Sequence, residues 1–299
     1  MLDACYLVLY YTFRAFFLYA PRFLSLNFLK ILAKAFFKLD KKHTKIMKTN
    51  IKMCFDELDE AQINELVLKT YNNFALFLRE FVINQNTTKE QILSKICFEN
   101  EEILLNALAT NRPIIVSTAH YGNWELFSLA MAAKFGAVSI IGRSLDSAKM
   151  NEILSKNRRR FDIELIDKNN AAKPVIAALK ERRLLGVLVD QNTAKKDGIE
   201  CEFFGKKIMH TPAASVFASK MNALIIPAFI MRENSKKFKI IFYPQIDIKE
   251  LEKSMNKQAA ILCATQAQSD ALMSQIKRKD DEYFWMHKKF KHFYEANYA

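Results

Sequence analysis

An α/β fold, with a mixed, largely parallel sheet flanked by helices and a helical segment ahead of it, follows from three observations. From residue 113 onward, short apolar runs alternate with helical stretches of about ten to fifteen residues, which is how strand–helix–strand units read in sequence. Before that point apolar residues recur at threes and fours, as in Leu58, Ile63, Leu66, Val67, Tyr71, Phe74, Phe77 and Phe81, the period of an amphipathic helix. A chain of 299 residues, 51% hydrophobic with only six Gly and six Pro, can bury a full core and excludes widespread disorder or a fibrous repeat.

The first element is the apolar stretch ACYLVLYYTFRAFFLYA at 4–20, broken only by Arg14. It lacks the basic start and the small-x-small site of a secretory signal. It is also short of the roughly 20 residues that cross a bilayer without tilt, and Arg14 near mid-membrane would cost about 2.5–3.5 kcal/mol. Residues 23–38 place Lys30, Lys34 and Lys38 on one helical stripe with apolar residues elsewhere, and Lys41, Lys42, Lys45 and Lys48 follow. That is the pattern of a helix lying in a membrane interface. Two core helices of a basic soluble protein would give the same residues. The expectation is a membrane-anchoring helical segment at 1–45, spanning or in-plane, with the remainder on the cytoplasmic side by the positive-inside rule. The main domain is then 46–299, made of a helical lead-in at 46–105 and an α/β body at 106–299.

The long amphipathic helix falls at 58–84. Strands are expected at 113–119, 137–142, 162–166, 184–190, 223–230 and 238–243. Helices are expected at 122–135, 145–160, 171–182, 212–221 and 250–278. Gly136 after a helix, and Thr211 then Pro212 before one, are stop and start signals.

A net charge of +13 puts a positive field on the surface, suited to nucleic acid, an anionic membrane, phosphorylated substrates or an acidic carrier protein. Nucleic acid is disfavoured, because the aromatics cluster with apolar runs and no recognised binding motif occurs. The five cysteines are scattered and contain no C-x-x-C, which argues against a disulfide framework and a zinc site.

In PIIVSTAHYGNWE, residues 113–125, an apolar run stops at His120 and Glu125 follows five residues later. On a continuous helix such residues would be about 140° apart and could not meet. They meet only if His120 lies in the strand-to-helix turn, with Gly122 permitting the bend. Glu125 would then accept from one imidazole nitrogen while the other takes a proton, the His–carboxylate part of a triad with no enzyme nucleophile. The competing reading is a buried histidine bonded to backbone, with Glu125 as a first-turn charge. Asp190 closes the run 184–189 at another strand end, where a substrate-orienting role is expected. Arg158, Arg159 and Arg160 end a helix, either as a solvated basic end or as phosphate ligands. Cys201 has no histidine pattern around it and reads as a structural thiol. In YFWMHKKF at 283–290 the aromatic rings beside lysines suit a membrane interface, and His287 reads as structural.

These stretches together resemble the bacterial lipid A biosynthesis acyltransferase family. His120 to Glu125 matches its H-x-x-x-x-[DE] signature within Gly122-Asn123-Trp124-Glu125. The likeness continues through Gly142-Arg143, KNRRRF at 156–161, LLGVLVDQN at 184–192, CEFFGKKIMHTPAAS at 201–215, ALIIPAFIMR at 223–232 and DEYFWMHKKFKHF at 281–293. It implies an acyltransferase at the cytoplasmic face of the bacterial inner membrane, in contact with its anionic lipids. The reaction would move a fatty acyl chain from acyl carrier protein to a hydroxyl of a hydroxyacyl chain on the lipid A precursor. It implies His120 as base and Glu125 as the group fixing its tautomer, with Arg143, Arg158, Arg159 and Asp190 binding substrate. The thioester donor is already activated, so no metal, cofactor or covalent enzyme intermediate is expected, and acyl carrier protein enters as co-substrate. A lysophospholipid or other glycolipid acceptor, or acyl-CoA as donor, would use the same chemistry. The chain departs from many relatives just after Asp190, where Gln191 and Asn192 replace a second acidic residue or histidine.

Overall fold

The computed structural model describes residues 2–143, 145 and 147–299. Helices come first: α1 (Leu2–Tyr19), α2 (Arg22–Leu39), α3 (Lys41–Cys54), α4 (Glu60–Ile83) and the short α5 (Lys89–Leu93). Strand β1 (Ile96–Glu99) and helix α6 (Glu101–Ala109) lead into an alternating body. That body runs β2 (Ile114–Thr118), α7 (Trp124–Phe135), β3 (Val138–Gly142), α8 (Ala148–Arg158), β4 (Ile163–Asp167), α9 (Ala172–Lys180) and β5 (Leu184–Leu188). The hairpin β6 (Ile199–Phe203) and β7 (Lys206–His210) follows, then α10 (Ala213–Met221), β8 (Leu224–Arg232), β9 (Phe238–Phe242) and β10 (Ile246–Asp247). Helices α11 (Ile248–Ser254) and α12 (Lys257–Arg278) precede the C-terminal segment.

One sheet organises the body, in the order β1-β9-β8-β2-β5-β3-β4, with β10 also on β8. All neighbours are parallel except β8 with β9 and β8 with β10. Strand β2 is buried along its whole length. Ile114 and Val116 enter a core shared with Leu126, Phe127 and Leu129 of α7, while Ile115 enters one shared with Val175 of α9 and Ala214 of α10. Alternate residues of a strand face opposite sides, so covering both sides demands an unbroken apolar run. The fold class read from the sequence is therefore present as a helix-flanked, mostly parallel mixed sheet.

The six expected strands appear within two residues of their predicted ends, and the 58–84 helix appears as α4. Its start is a capping box: Asp59 accepts from Gln62 N at 2.8 Å, and the Gln62 side chain accepts from Asp59 N at 2.9 Å, worth about 1 kcal/mol. The predicted 250–278 helix is two helices, because the chain breaks at Met255 and Asn256 restarts it by accepting from Ala259 N. Strands β1, β6, β7 and β10 are additions to the predicted set.

Helices α1 and α2 pack on α4 through Tyr10, Phe17, Leu29, Ala75 and Val82. Arg14 points inward and donates to Gln85 Oε1 at 2.9 Å, which removes its charge from the outer face. That outer face leaves Val8, Leu9, Tyr19, Phe23, Ile31 and Leu39 exposed. Among the described residues no helix is long and apolar enough to cross a membrane, so the spanning alternative for this segment has no helix to carry it.

The C-terminal segment corrects the interfacial reading of YFWMHKKF. Tyr283, Trp285 and Phe290 are buried in the core cluster that also holds Phe203, Met47 and Ile51, and Lys289 is buried with them. Trp285 satisfies its indole by donating to the Asp280 carbonyl at 2.9 Å. Asn50 of α3 donates to the carbonyls of Trp285 and His287, both at 2.7 Å. An aromatic–lysine run is equally compatible with a core segment whose polar tips find internal partners.

Candidate active site

Parallel pairing places the two key residues side by side. In the β2–β5 ladder Thr118 is opposite Leu188, and Val189 N donates to Thr118 O at 3.0 Å. Two residues beyond each strand end stand His120 and Asp190, at the carboxyl edge where open α/β sheets gather functional groups. His120 Nδ1 lies 2.9 Å from Asp190 Oδ1, and the same oxygen accepts from His120 N at 3.1 Å.

The turn carrying His120 is held from three sides. Phe284 N donates to His120 O and Gly122 N to Glu282 O, both at 2.9 Å, so the C-terminal segment runs as a short antiparallel strand beside it. Gly122 has φ +58°, and a Cβ there would stand 1.9 Å from the Ile230 carbonyl oxygen, so only glycine fits. Asn123 caps α7 by accepting from Leu126 N at 3.0 Å and donates to Glu80 Oε2 at 2.9 Å. Glu80 is in turn paired with Arg232 from β8, closing a buried polar network beneath the turn.

A carboxylate only accepts, so Nδ1 carries the proton and neutral His120 presents a bare Nε2. No described residue bonds that nitrogen, and the ring is 20% exposed. Burial disfavours the imidazolium, but the Asp190 charge and hydrogen bond, helped by Glu125, outweigh it and raise His120 above its ordinary pKa. Arg158 opposes them. Asp190 is fully buried, which resists its ionisation. His120 first, then His287 and Lys289, more than reverse this and hold the carboxyl well below the usual range.

Glu125 was expected on the imidazole, and the structure puts it elsewhere. It sits in the first turn of α7, where its carboxylate is gripped by Arg158: Nε reaches its two oxygens at 3.2 and 3.1 Å, and Nη2 reaches Oε1 at 2.5 Å. The pair is largely buried. It remains close enough to His120 for both charges to act on it. Asp190, expected to orient substrate, takes the tautomer-fixing place instead. The physical reason is register: strand pairing sets residues 120 and 190 abreast, while the first turn of α7 carries Glu125 past the imidazole toward α8.

The arginines separate. Arg158 holds Glu125. Arg159 is exposed at the end of α8. Arg160 donates to the carbonyls of Asn84 and Thr87 and lies over the Phe161 ring, a structural clamp on the turn after α4. Arg143 is exposed at the carboxyl end of β3. Cys201 is buried and its thiol is pushed up to about 11 by that burial, which suits a packing role.

Beside the dyad an apolar cavity runs between α7 and the sheet. Trp124, Glu125 and Arg158 stand at one end, and Met131, Val138 and Leu184 line the other. Residues 124 and 131 are seven apart on α7, about 10 Å along its axis. Trp124 and Phe284 wall the imidazole, with ring centroids 5.2 and 6.0 Å from His120. Lys289 and the Glu80–Arg232 pair are parts of the site that spacing did not reveal. Asn123 did signal itself, as an N-cap type directly before an apolar helix.

A sequence model of the family described as "Bacterial lipid A biosynthesis acyltransferase" matches residues 2–292. The chain is 19% identical over 262 residues to the lipid A biosynthesis lauroyltransferase of Escherichia coli strain K12, covering 87% of this chain and 83% of that one. It is 22% identical over 236 residues to lipid A biosynthesis acyltransferase 2 of Shigella flexneri, covering 75% and 74% respectively. With nearly its whole length matched, the chain belongs to the bacterial lipid A biosynthesis acyltransferase family and is an acyltransferase.

Proposed function

We propose that the protein transfers a fatty acyl chain from acyl carrier protein to a hydroxyl of a hydroxyacyl chain on the lipid A precursor, with His120 as general base. The observation that carries this reading is the His120–Asp190 bond, which leaves Nε2 bare on a ring packed against Trp124, itself part of the wall of an apolar cavity. Nε2 takes the proton of the acceptor hydroxyl as its oxygen attacks the thioester carbonyl. The tetrahedral intermediate then collapses, the C–S bond breaks, and the departing thiolate takes the proton back from the imidazolium. Arg158, oriented by Glu125, is a cation within electrostatic reach of His120 and offsets the charge that develops on the carbonyl oxygen. Arg143 and Arg159 are both exposed, and their guanidinium groups suit the phosphates of the precursor.

The apolar lining of the cavity between α7 and the sheet suits the donor chain, whose entry would have to part these walls. Val138→Phe fills its far end and is expected to shift donor preference toward shorter chains, by about 10-fold or more per methylene displaced. Competition between donors of graded length checks this, and unchanged selectivity would place the chain elsewhere. A surface of net charge +13 suits an acidic carrier protein. The exposed apolar face of α1 and α2, beside Lys30, Lys34 and Lys38, suits in-plane attachment to anionic lipid on the cytoplasmic side of the inner membrane. The reading is tested by incubating the purified full chain with lipid A precursor and either acyl carrier protein thioester or acyl-CoA. A mass gain of one acyl group with the carrier-protein donor supports it. Gain only with acyl-CoA, or only on a lysophospholipid, would move the protein to a neighbouring activity.

A further inference from the structure

The C-terminal segment carries a lysine into the core directly behind the proposed base. Lys289 is 1% exposed, its Nζ donates to the Asp190 main-chain carbonyl at 2.5 Å, and it lies 4.8 Å from the centroid of the Phe203 ring. The main chain around it is pinned independently: Asn50 holds the carbonyls of Trp285 and His287, and the Tyr298 hydroxyl bonds both Asn50 and Phe290 N. A buried ammonium costs several kcal/mol in general, and packing alone would be met by a methionine of similar length. Its surroundings are charged chemistry. Asp190, 0% exposed, uses Oδ1 for both bonds to His120, while its Oδ2 has no hydrogen-bond partner among the described residues. The same holds for His210 Nε2, His287 Nε2 and the Tyr283 hydroxyl, which lie within electrostatic reach of that carboxylate.

We infer that Lys289 is a positioning residue of the transfer reaction, holding the Asp190 turn by its carbonyl and supplying the buried counter-charge that keeps Asp190 ionised while His120 is neutral. This rests on His120 being the base. The base must start neutral, so its own cation is absent when Asp190 most needs one. His210 and His287 do not replace it at neutral pH, since burial holds them neutral, down to about 3 and about 4, and His287 lowers the Asp190 carboxyl only once it is charged in acid. Among the described residues the remaining cation facing Asp190 from behind is Lys289, which also faces the thiols of Cys54 and Cys201. From the open side His120 faces Glu125 and Arg158.

The test uses the full-length protein in the acyl-transfer assay, with Lys289→Met, Lys289→Arg and His120→Ala compared over pH. Removing the cation strengthens the unopposed field of Asp190 on His120, so in Lys289→Met the acid limb of kcat/KM moves to higher pH. Its kcat falls about 10- to 100-fold, part of the 10²–10⁴ that an acid–base group carries, while both KM values stay within about threefold. Burial brings Lys289 down to about 8, so the wild type declines above that pH as the ammonium discharges, and Lys289→Arg, always charged, loses this alkaline limb. A folded Lys289→Met with wild-type kcat and acid limb overturns the inference. If that variant does not fold, the alkaline limb decides: a limb shared by wild type and Lys289→Arg, or absent from the wild type, overturns it. His120→Ala separates the two levels, because an inactive His120→Ala beside an unaffected Lys289→Met removes only the role of Lys289. An active His120→Ala removes the base and this inference with it.

Discussion

Asp190→Asn lowers kcat by about 10²–10⁴-fold, the span of a well-placed acid–base group, and does so without unfolding the protein. An amide offers the imidazole an NH₂ as readily as a carbonyl, so it no longer forces the proton onto Nδ1, and it has no charge to stabilise the imidazolium. The pH dependence carries the sign. Asp190 raises His120 above its ordinary pKa, so activity in the wild type is lost as pH falls through that raised value. With the carboxylate gone the acid limb moves to lower pH while the plateau drops. This is the opposite direction from Lys289→Met, and a pH–rate profile of both variants distinguishes a charge effect from general damage. Because the two residues act as one unit, the His120→Ala/Asp190→Asn double variant is no slower than His120→Ala alone. Additive losses would mean that Asp190 works independently of the imidazole.

Arg158→Met destabilises the fold by about 3–5 kcal/mol, the cost of leaving a buried carboxylate without its partner. Three contacts tie Arg158 to Glu125, and both side chains are shielded from water. Adding Glu125→Gln removes the stranded charge, so the double variant recovers much of the lost stability. Urea unfolding of the two single variants and the double variant checks this. A double variant as unstable as the sum of the singles would mean that the pair is not coupled. Activity separates from stability here: the recovered double variant is expected to stay slow if Arg158 offsets charge on the carbonyl oxygen as proposed.

The candidate site was legible in the sequence to the extent that it depends on local pattern. The run at 113–119 had to end where a polar residue could reach solvent, and the helix geometry already required His120 to lie in the turn. Strand pairing was not legible, and pairing chose the carboxylate. Nothing in the spacing between residues 120 and 190 says that β2 and β5 are neighbours, whereas Glu125 was close in sequence and attracted the role. The fate of Glu125 depends on where α8 docks, because Arg158 reaches it from the last turn of that helix. The hairpin β6–β7 has a local sequence signal. Phe204 and Gly205 both have positive φ, and a Phe-Gly pair between two short alternating runs is compatible with such a two-residue turn. The tail is ambiguous in sequence for a different reason. Lysine beside aromatic rings has the same composition at a lipid surface and in a core, and only the partners of Lys289 and Trp285 tell them apart.

The most direct test of the account is the mass of lipid A precursor after incubation with acyl carrier protein thioester and purified His120→Ala protein, beside the wild type at equal folded concentration. One added acyl chain is expected with the wild type. With His120→Ala the expected rate is lower by about 10²–10⁴-fold, with melting behaviour unchanged. Acylation by the folded variant at the wild-type rate would contradict it.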